Sequence, residues 1–178
     1  MLITVSGLPG SGKTTVARLV ATELGLEHVY AGNIFRRQAE AAGLSLQEYV
    51  RRAETDSTID RQLDDWMRER ARAGRAVLEG RLAAFMAEQA GVDALKVYLE
   101  ASEAVRAARI TTREGGATAE REREIRAREA SDRQRYRDLY GVDYHDHSRY
   151  DLVMDTDRRT PEALAEEIVA QARVRFGG

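Results

Sequence analysis

Hydrophobic and polar positions follow two patterns along the chain, short apolar runs and longer segments with apolar residues at helical spacing. The short runs predict five strands, at residues 2–6, 27–30, 76–79, 94–99 and 151–155. The longer segments predict helices at residues 14–24, 106–113 and 117–140, with two or three more within residues 34–72. Strands that alternate with helices indicate βαβ units, so the sequence predicts an α/β fold with a parallel sheet flanked by helices.

Several residues indicate where the predicted helices begin or end. Gly43 breaks the first long helical segment, and Asp56 or Ser57 is a suitable N-cap because its side chain can accept a bond from a free amide. Thr160 precedes Pro161, which suits the first helical position because the amide at that position has no helical partner. A last helix is therefore predicted after Thr160.

Length, composition and charge limit the classes of function that the protein can have. A chain of 178 residues suggests one domain, because that length can bury roughly 70 per cent of its unfolded surface. It has no cysteine, so we expect a cytoplasmic protein without disulfides or thiolate metal sites. The apolar runs are shorter than the roughly 18 residues of a membrane span, and the net charge of −2 gives no general attraction to nucleic acid. Neither a membrane nor a nucleic acid is expected as a partner.

The sharpest motif is GLPGSGKTT, which matches G-x-x-x-x-G-K-[ST] between a predicted strand and a predicted helix. Glycines allow the backbone amides to wrap a phosphate closely at the helix N-terminus. Lys13 then reaches the outer phosphates, and the Thr14 hydroxyl is a ligand for Mg²⁺. The predicted ATP-binding loop comprises Gly7, Leu8, Pro9, Gly10, Ser11, Gly12, Lys13, Thr14 and Thr15.

The third predicted strand ends in Glu79, Gly80 and Arg81, where ligands bind in parallel α/β sheets. Glu79 is placed to reach Mg²⁺ through water, and Arg81 to hold a second phosphate through two hydrogen bonds. An ion pair between Glu79 and Arg81, or a helix cap, is the structural alternative for the carboxylate. A GTPase switch is excluded because the chain contains no Asn-Lys-x-Asp motif.

The segment of residues 118–138 is densely charged, with seven arginines and six acidic residues. This near balance argues against binding to a nucleic-acid backbone, which requires uncompensated positive charge. Only one large aliphatic residue, Ile125, lies in the segment, so no heptad repeat of a coiled coil can be drawn.

Within this segment, the stretch REASDRQR places its charged groups on two faces of a helix. At about 100° per residue, Arg128, Asp132 and Arg135 share one narrow face. The opposite face carries four other arginines, Arg123, Arg126, Arg133 and Arg137. We expect the first face to look into a cleft and the second to be solvated and matched by acidic residues.

Three separated motifs resemble those of one enzyme family. The runs AVLEGRLAAF and DALKVYLEASEAVRAARI resemble the Glu-Gly-Arg region and the next strand and helix of cytidylate kinases, and REASDRQR resembles their lid. The whole chain is similar to the short archaeal type of this family. The resemblance implies a single P-loop kinase domain at residues 1–178, with an acceptor-binding helical arm at about 31–73 and a mobile lid at about 113–140. It also implies that the protein uses ATP and Mg²⁺ to phosphorylate CMP, and dCMP as well. We expect a monomer.

The same resemblance assigns roles to individual residues. Arg109 and Arg113 resemble arginines that lie against the ATP donor. The implied acceptor-binding residues are Asn33, Arg36, Gly80, Arg81, Arg128, Asp132 and Arg135, and the implied catalytic residues are Lys13, Arg128, Asp132 and Arg135. One departure is that Ala31, Gly32 and Asn33 stand where many relatives have Ser-Gly-Asp or Ala-Gly-Asp, so an amide replaces a carboxylate in the arm.

Two alternatives remain open on the sequence. Another P-loop kinase with a small acceptor, of adenylate, uridylate or shikimate type, would share every feature except the acceptor contacts. Outside the enzymes, a nucleotide-dependent RNA-binding module would use the arginine-rich helix as its arm.

Overall fold

One parallel sheet of five strands organises the computed structural model, which describes residues 1–177. The strands are β1 (Leu2–Gly7), β2 (Glu27–Tyr30), β3 (Ala76–Glu79), β4 (Leu95–Glu100) and β5 (Leu152–Asp155). Their spatial order is β2-β3-β1-β4-β5, and every neighbouring pair runs parallel. The predicted P-loop kinase architecture, a five-stranded parallel sheet flanked by helices, is confirmed.

The register of the central strands brings the candidate chemistry to one edge of the sheet. Val5 of β1 lies beside Glu79 of β3, and Gly7 lies beside Leu99 of β4. The phosphate-binding loop therefore leaves β1 at the level where β3 delivers its Glu-Gly-Arg sequence. All six residues of β1 are buried, as expected for a central strand covered on both faces.

Eight α-helices and one short 3₁₀ helix, His147–Arg149, occur within residues 1–177. The α-helices are α1 (Lys13–Leu24), α2 (Ala31–Ala41), α3 (Leu46–Thr55), α4 (Ser57–Ala73), α5 (Ala83–Gln89), α6 (Glu103–Glu114), α7 (Thr118–Tyr140) and α8 (Pro161–Phe176). We call α2 to α4 the arm and α7 the lid helix. None of these helices is long and apolar enough to cross a membrane.

Local chemistry explains most helix boundaries. Asp56 caps α4 by accepting from the Thr58 amide, and Thr160 caps α8 by accepting from the Ala163 amide, with Pro161 at the first position. Both caps were predicted. Helix α5 was not, because its seven residues are too few to show helical periodicity.

The core divides into layers that fix the arm and the lid helix against the sheet. One cluster joins the sheet to α1 and α8, and a second joins it to α4, α5 and Tyr136 and Tyr144. The arm has its own small core, in which the rings of Phe35 and Tyr49 meet edge to face at 4.9 Å. The lid helix packs on α6 through Ile125, which joins Ala107 and Ile110.

Candidate active site

The phosphate-binding loop has a glycine at each of three positions of positive φ, Gly7, Gly10 and Gly12. Gly7 has φ 143°, and a Cβ there would lie 2.3 Å from the Leu99 carbonyl oxygen. Gly12 has φ 90° and supplies no side chain to cap α1, which starts at Lys13. The first amides of α1 therefore face the cleft without a side-chain acceptor, as an anion site requires.

Lys13 lies half-buried at the centre of this loop. Its Nζ donates to the Leu8 carbonyl oxygen at 2.6 Å. The pKa of Lys13 is lowered to about 7, mainly by burial and also by the charges of Arg81 and Arg128, while Glu79 opposes the shift. A bound phosphate would stabilise the charged form of Lys13, because an opposite charge at short range offsets the cost of burial.

The two predicted metal-site residues meet at the edge of the sheet. The Thr14 hydroxyl donates to Oε1 of Glu79 at 2.6 Å, and Oε2 of Glu79 lies 2.9 Å from Nε2 of His28. Glu79 is only 1% exposed. A hydroxyl and a carboxylate oxygen are the hard donors that Mg²⁺ prefers, and two protein groups with phosphates and waters are a usual set for this ion. The residues therefore fit a magnesium site. Sequence reasoning missed His28, whose only signal is a polar residue within a strand.

Arg81 does not form an ion pair with Glu79, which was the alternative to a metal-binding role for Glu79. Its Nε instead lies 2.6 Å from Oδ2 of Asp132 on the lid helix. The two atoms form an ion pair but lack the alignment of a hydrogen bond. Burial opposes the charge of Arg81, but Asp132 together with Glu129 and two neighbouring tyrosines outweighs this effect and raises the pKa of the guanidinium.

Arg128 lies in the same cleft and, within the described part of the chain, forms no ion pair. Its Nε is buried and has no hydrogen-bond acceptor. Burial lowers the pKa of Arg128 to about 10, and the neighbouring charge of Arg81 contributes to this shift. A partly buried guanidinium that forms no ion pair and adjoins other cations is arranged to receive an anionic ligand.

Arg135 differs from Arg128 because its donors are already used. It donates to Asp60 Oδ2 at 2.8 Å, to Asp132 Oδ1 at 2.9 Å and to Ser131 Oγ at 2.7 Å. In this conformation Arg135 connects the lid helix to the arm. Its catalytic role remains a prediction.

The arginines expected near the ATP donor lie at the other end of the cleft. Arg109 donates to the hydroxyl of Thr156 at 2.9 Å and to its carbonyl at 2.6 Å. Thr156 in turn donates to the Ser11 carbonyl at 3.1 Å, so Arg109 is braced against the phosphate-binding loop. Arg113 borders the same cleft, but its side chain is 57% exposed and pairs with Glu114.

Sequence reasoning missed Arg106, which is almost fully buried on α6. It donates to the carbonyls of Pro9 and Ala101, both at 3.2 Å, and it pairs with Glu129 of the lid helix. Arg106 therefore links the phosphate-binding loop to the lid helix. The signal available in the sequence was its helical spacing, three residues before Arg109.

The loop, the arm and the lid helix enclose one cleft of about 1050 Å³. Arg36, Gly80 and Arg81 line it, and Arg36 also donates to the Tyr30 hydroxyl at 3.1 Å. The structure does not bring Asn33 to this cleft. Asn33 lines a separate cavity of about 420 Å³ instead.

A buried carboxylate in the cleft, Asp64 on α4, was also missed. It is 6% exposed, and its Oδ2 accepts from the Tyr140 hydroxyl at 2.7 Å. Burial raises the pKa of Asp64 to about 7, and the nearby charge of Asp60 adds to the effect. The sequence signal was its position three residues before Met67 and seven before Ala71, on the buried face of α4.

The outer face of the lid helix is matched by acidic residues, as predicted. Arg126 pairs with Glu103, and both Arg133 and Arg137 pair with Asp143. Arg123 departs from the prediction because, although exposed, it borders the mouth of the cleft. It lies in the N-terminal part of the lid helix, where a long side chain can reach around the helix.

Comparisons with known proteins agree with this geometry. A family model described as an AAA domain matches residues 6–142. A cytidylate kinase of Methanopyrus kandleri is 48% identical over 165 residues, which cover 89% of this chain and 86% of the relative. A cytidylate kinase of Pyrococcus horikoshii is 45% identical over 164 residues, which cover 92% of this chain and 84% of the relative.

Among solved structures, a gluconokinase from Sinorhizobium meliloti superposes with a TM-score of 0.63 at 19% identity, over 98% of this chain and 93% of that protein. At this identity the likeness concerns the fold alone.

Proposed function

The chain belongs to the cytidylate kinase family, and we propose that it transfers the γ-phosphoryl group of ATP to CMP, and to dCMP, giving ADP and the diphosphate. One observation carries the proposal from the geometry. A single cleft has the phosphate-binding loop at one end and the arginine-lined arm at the other, so it can hold a donor and an acceptor nucleotide together.

The donor half of the site is built from backbone amides and cations. The amides of the loop and of the first turn of α1 would bind the phosphates, and Lys13 would exchange the Leu8 carbonyl for a phosphate oxygen. Arg109, held by Thr156, would position the nucleoside of ATP. Arg113 would approach from the edge of the cleft.

Thr14 and Glu79 would hold Mg²⁺, with Glu79 acting through water. When bound, the ion neutralises charge on the donor phosphates. The hydrogen bond between Thr14 and Glu79 keeps both oxygens at one place. The contact of His28 with Glu79 fixes the carboxylate from its other side.

The acceptor half would place a monophosphate between Arg36 and Arg81, with Arg128 above the transferring group. Phosphoryl transfer passes through a loose transition state, so the residues act by aligning two nucleotides and neutralising oxygen charge. The acceptor oxygen is already ionised at neutral pH, so no side chain has to remove a proton.

Water must be kept from the transferring group, since a water molecule would otherwise accept it. Besides the buried pair of Arg135 and Asp60, two exposed contacts join the arm to the lid helix. Gln47 donates to Glu124 at 3.0 Å, and Ser131 donates to Glu54 at 2.6 Å. Because both pairs are exposed and polar, we propose that they open and close with substrate.

The RNA-binding alternative is disfavoured by the charges of the lid helix. Three of its outward arginines are neutralised by Glu103 or Asp143, which leaves little free positive charge for a phosphate backbone.

We further propose that the protein acts as a monomer in the cytoplasm.

A coupled assay of ADP formation with ATP, Mg²⁺ and a panel of nucleoside monophosphates tests the proposal. We expect CMP to be the best acceptor, with dCMP second or comparable and UMP and AMP far behind. A tenfold preference for AMP over CMP would refute the assignment.

A further inference from the structure

Asp64 stands apart from the other buried carboxylates of residues 1–177. Glu79 contacts Thr14 and His28, and Asp60 and Asp132 each pair with an arginine. Asp64 forms no ion pair among the described residues, and the Tyr140 hydroxyl is its single hydrogen-bond donor. Burying an unpaired carboxylate is costly, so its retention in a cleft calls for a partner that arrives with a ligand.

The Tyr140 contact leaves one oxygen of Asp64 available. Tyr140 occupies Oδ2, while Oδ1 has no hydrogen bond within residues 1–177. Because the residue lines the cleft, a ligand in the arm can reach Oδ1. In its ionised form the carboxylate only accepts hydrogen bonds, so the ligand group that matches this form is a donor.

The position of Asp64 along α4 indicates which part of an acceptor nucleotide it would contact. Asp60 lies one helical turn before Asp64 and contacts Arg135, which pairs with Asp132, the partner of Arg81. Asp64 therefore lies about 6 Å further along the arm than the residue that adjoins the phosphate clamp. A phosphate would be repelled there, whereas the base of a bound monophosphate would extend in this direction.

The surroundings of Asp64 suit a flat base. Leu63 and Met67 line the same cleft on either side of it along α4. Sites for small ligands combine apolar walls with a few polar groups that set specificity. Asp64 is the acidic residue of α4 that lines the cleft.

We propose that Asp64 determines base specificity, with its Oδ1 accepting a hydrogen bond from the exocyclic amine of cytosine. Uracil carries a carbonyl oxygen at that position, which would face the lone pairs of the carboxylate. Asp64 thus selects CMP over UMP. This inference rests on the proposed function, since it names the group that reads the acceptor base.

Asp64→Asn tests the inference with little change in shape. If the Tyr140 hydroxyl keeps donating to the side-chain oxygen, the amide NH₂ faces the cleft and offers a donor to uracil. Calorimetry without ATP would give the Kd of CMP and of UMP, and the coupled assay would give kcat/KM for both. We expect the preference for CMP over UMP to fall at least tenfold, which corresponds to about 1.4 kcal/mol.

Two further variants separate specificity from stability. Asp65→Asn changes a neighbouring carboxylate that is 65% exposed and pairs with Arg68, so the preference should stay within twofold of the parent. Asp64→Ala removes the acceptor altogether and should bring the two Kd values together. Circular dichroism of each variant confirms folding, and an unchanged KM for ATP shows that the donor site is intact.

The outcomes distinguish this inference from the proposed function. If the parent converts CMP efficiently and Asp64→Asn keeps the parent's preference within twofold, the inference is overturned and the function stands. If CMP binds without turnover, but its preference over UMP still falls in Asp64→Asn, the function fails and the role of Asp64 stands. A parent that binds neither nucleotide refutes both.

Discussion

The carboxylate of Asp132 on the lid helix lies 2.6 Å from Nε of Arg81 at the end of β3. Its other oxygen accepts from Arg135, which also binds Asp60 of the arm. One carboxylate thus joins the sheet, the lid helix and the arm around the cleft. Both Asp132 and Arg135 are buried, so the cost of removing one partner is greater than for a surface pair.

Removing either of two cations that face the cleft should strongly reduce turnover. We expect Lys13→Ala and Arg81→Ala each to lower kcat with ATP and CMP at least about a hundredfold, since each removes a charge from a site shielded from water. Steady-state kinetics measures the effect, and circular dichroism checks that the variants fold. Full activity of Arg81→Ala beside an inactive Lys13→Ala would remove the acceptor role of Arg81.

Replacing Gly7 should destabilise the fold more than replacing another glycine of positive φ. Gly43→Ala meets no atom within 4 Å, so it should cost only the roughly 1–2 kcal/mol of the backbone conformation. Gly7→Ala adds a contact of 2.3 Å with the Leu99 carbonyl, and we expect at least about 2 kcal/mol more. Urea unfolding of both variants measures the difference. Equal losses would mean that the loop moves away at little cost.

Hydrophobic periodicity and motif spacing predicted most of the fold and the donor side of the site. The strands, the caps at Asp56 and Thr160, and the meeting of Thr14 with Glu79 all depend on local sequence or on strand ends. The partners of Arg81 could not be predicted in the same way. Its choice of Asp132 over Glu79 depends on how the lid helix docks, 51 residues further along the chain.

The environment of Asp64 in the arm likewise could not be predicted from the sequence. The spacing of Asp64 from Met67 places it on the apolar face of an amphipathic helix, but this pattern does not show that the carboxylate lacks a cationic partner there. Burial arises only when α4 packs against β3, α5 and the end of the lid helix at Tyr140. Residues with unusual pKa values are therefore recognised from packing rather than from motifs.

The stability of the nucleotide-free protein should depend on pH through Asp64. Its pKa is about 7 in the fold against an ordinary 3.8, so the folded state holds the proton more tightly than the unfolded state. The resulting stabilisation is complete below pH 3.8 and is lost as the pH rises to about 7. Asn cannot ionise, so Asp64→Asn should gain Tm relative to the parent by at least about 3 °C between pH 5 and pH 8.

Thermal unfolding of the parent, of Asp64→Asn and of Asp65→Asn at the two pH values makes this comparison. Titration of all other groups is common to the three proteins and cancels in the Tm differences. Asp65→Asn removes an exposed carboxylate of the same helix and serves as the matched control. If the Tm difference between Asp64→Asn and the parent does not change with pH, Asp64 does not hold its proton more tightly in the folded protein.

The two faces of the lid helix should respond differently to the loss of an arginine. Arg128 faces the cleft with a buried Nε that has no acceptor, whereas Arg133 and Arg137 share Asp143 on the outside. Arg128→Ala should therefore cost on the order of 3 kcal/mol of transition-state stabilisation, roughly a hundredfold in kcat/KM. Arg133→Ala and Arg137→Ala should stay within threefold of the parent, since exposed ion pairs contribute about 1 kcal/mol or less.

Kinetics with ATP and CMP at two ionic strengths compares the three variants. Similar losses on both faces would contradict a catalytic lid, and RNA binding that weakens with salt and with loss of either face would indicate a nucleic-acid arm instead.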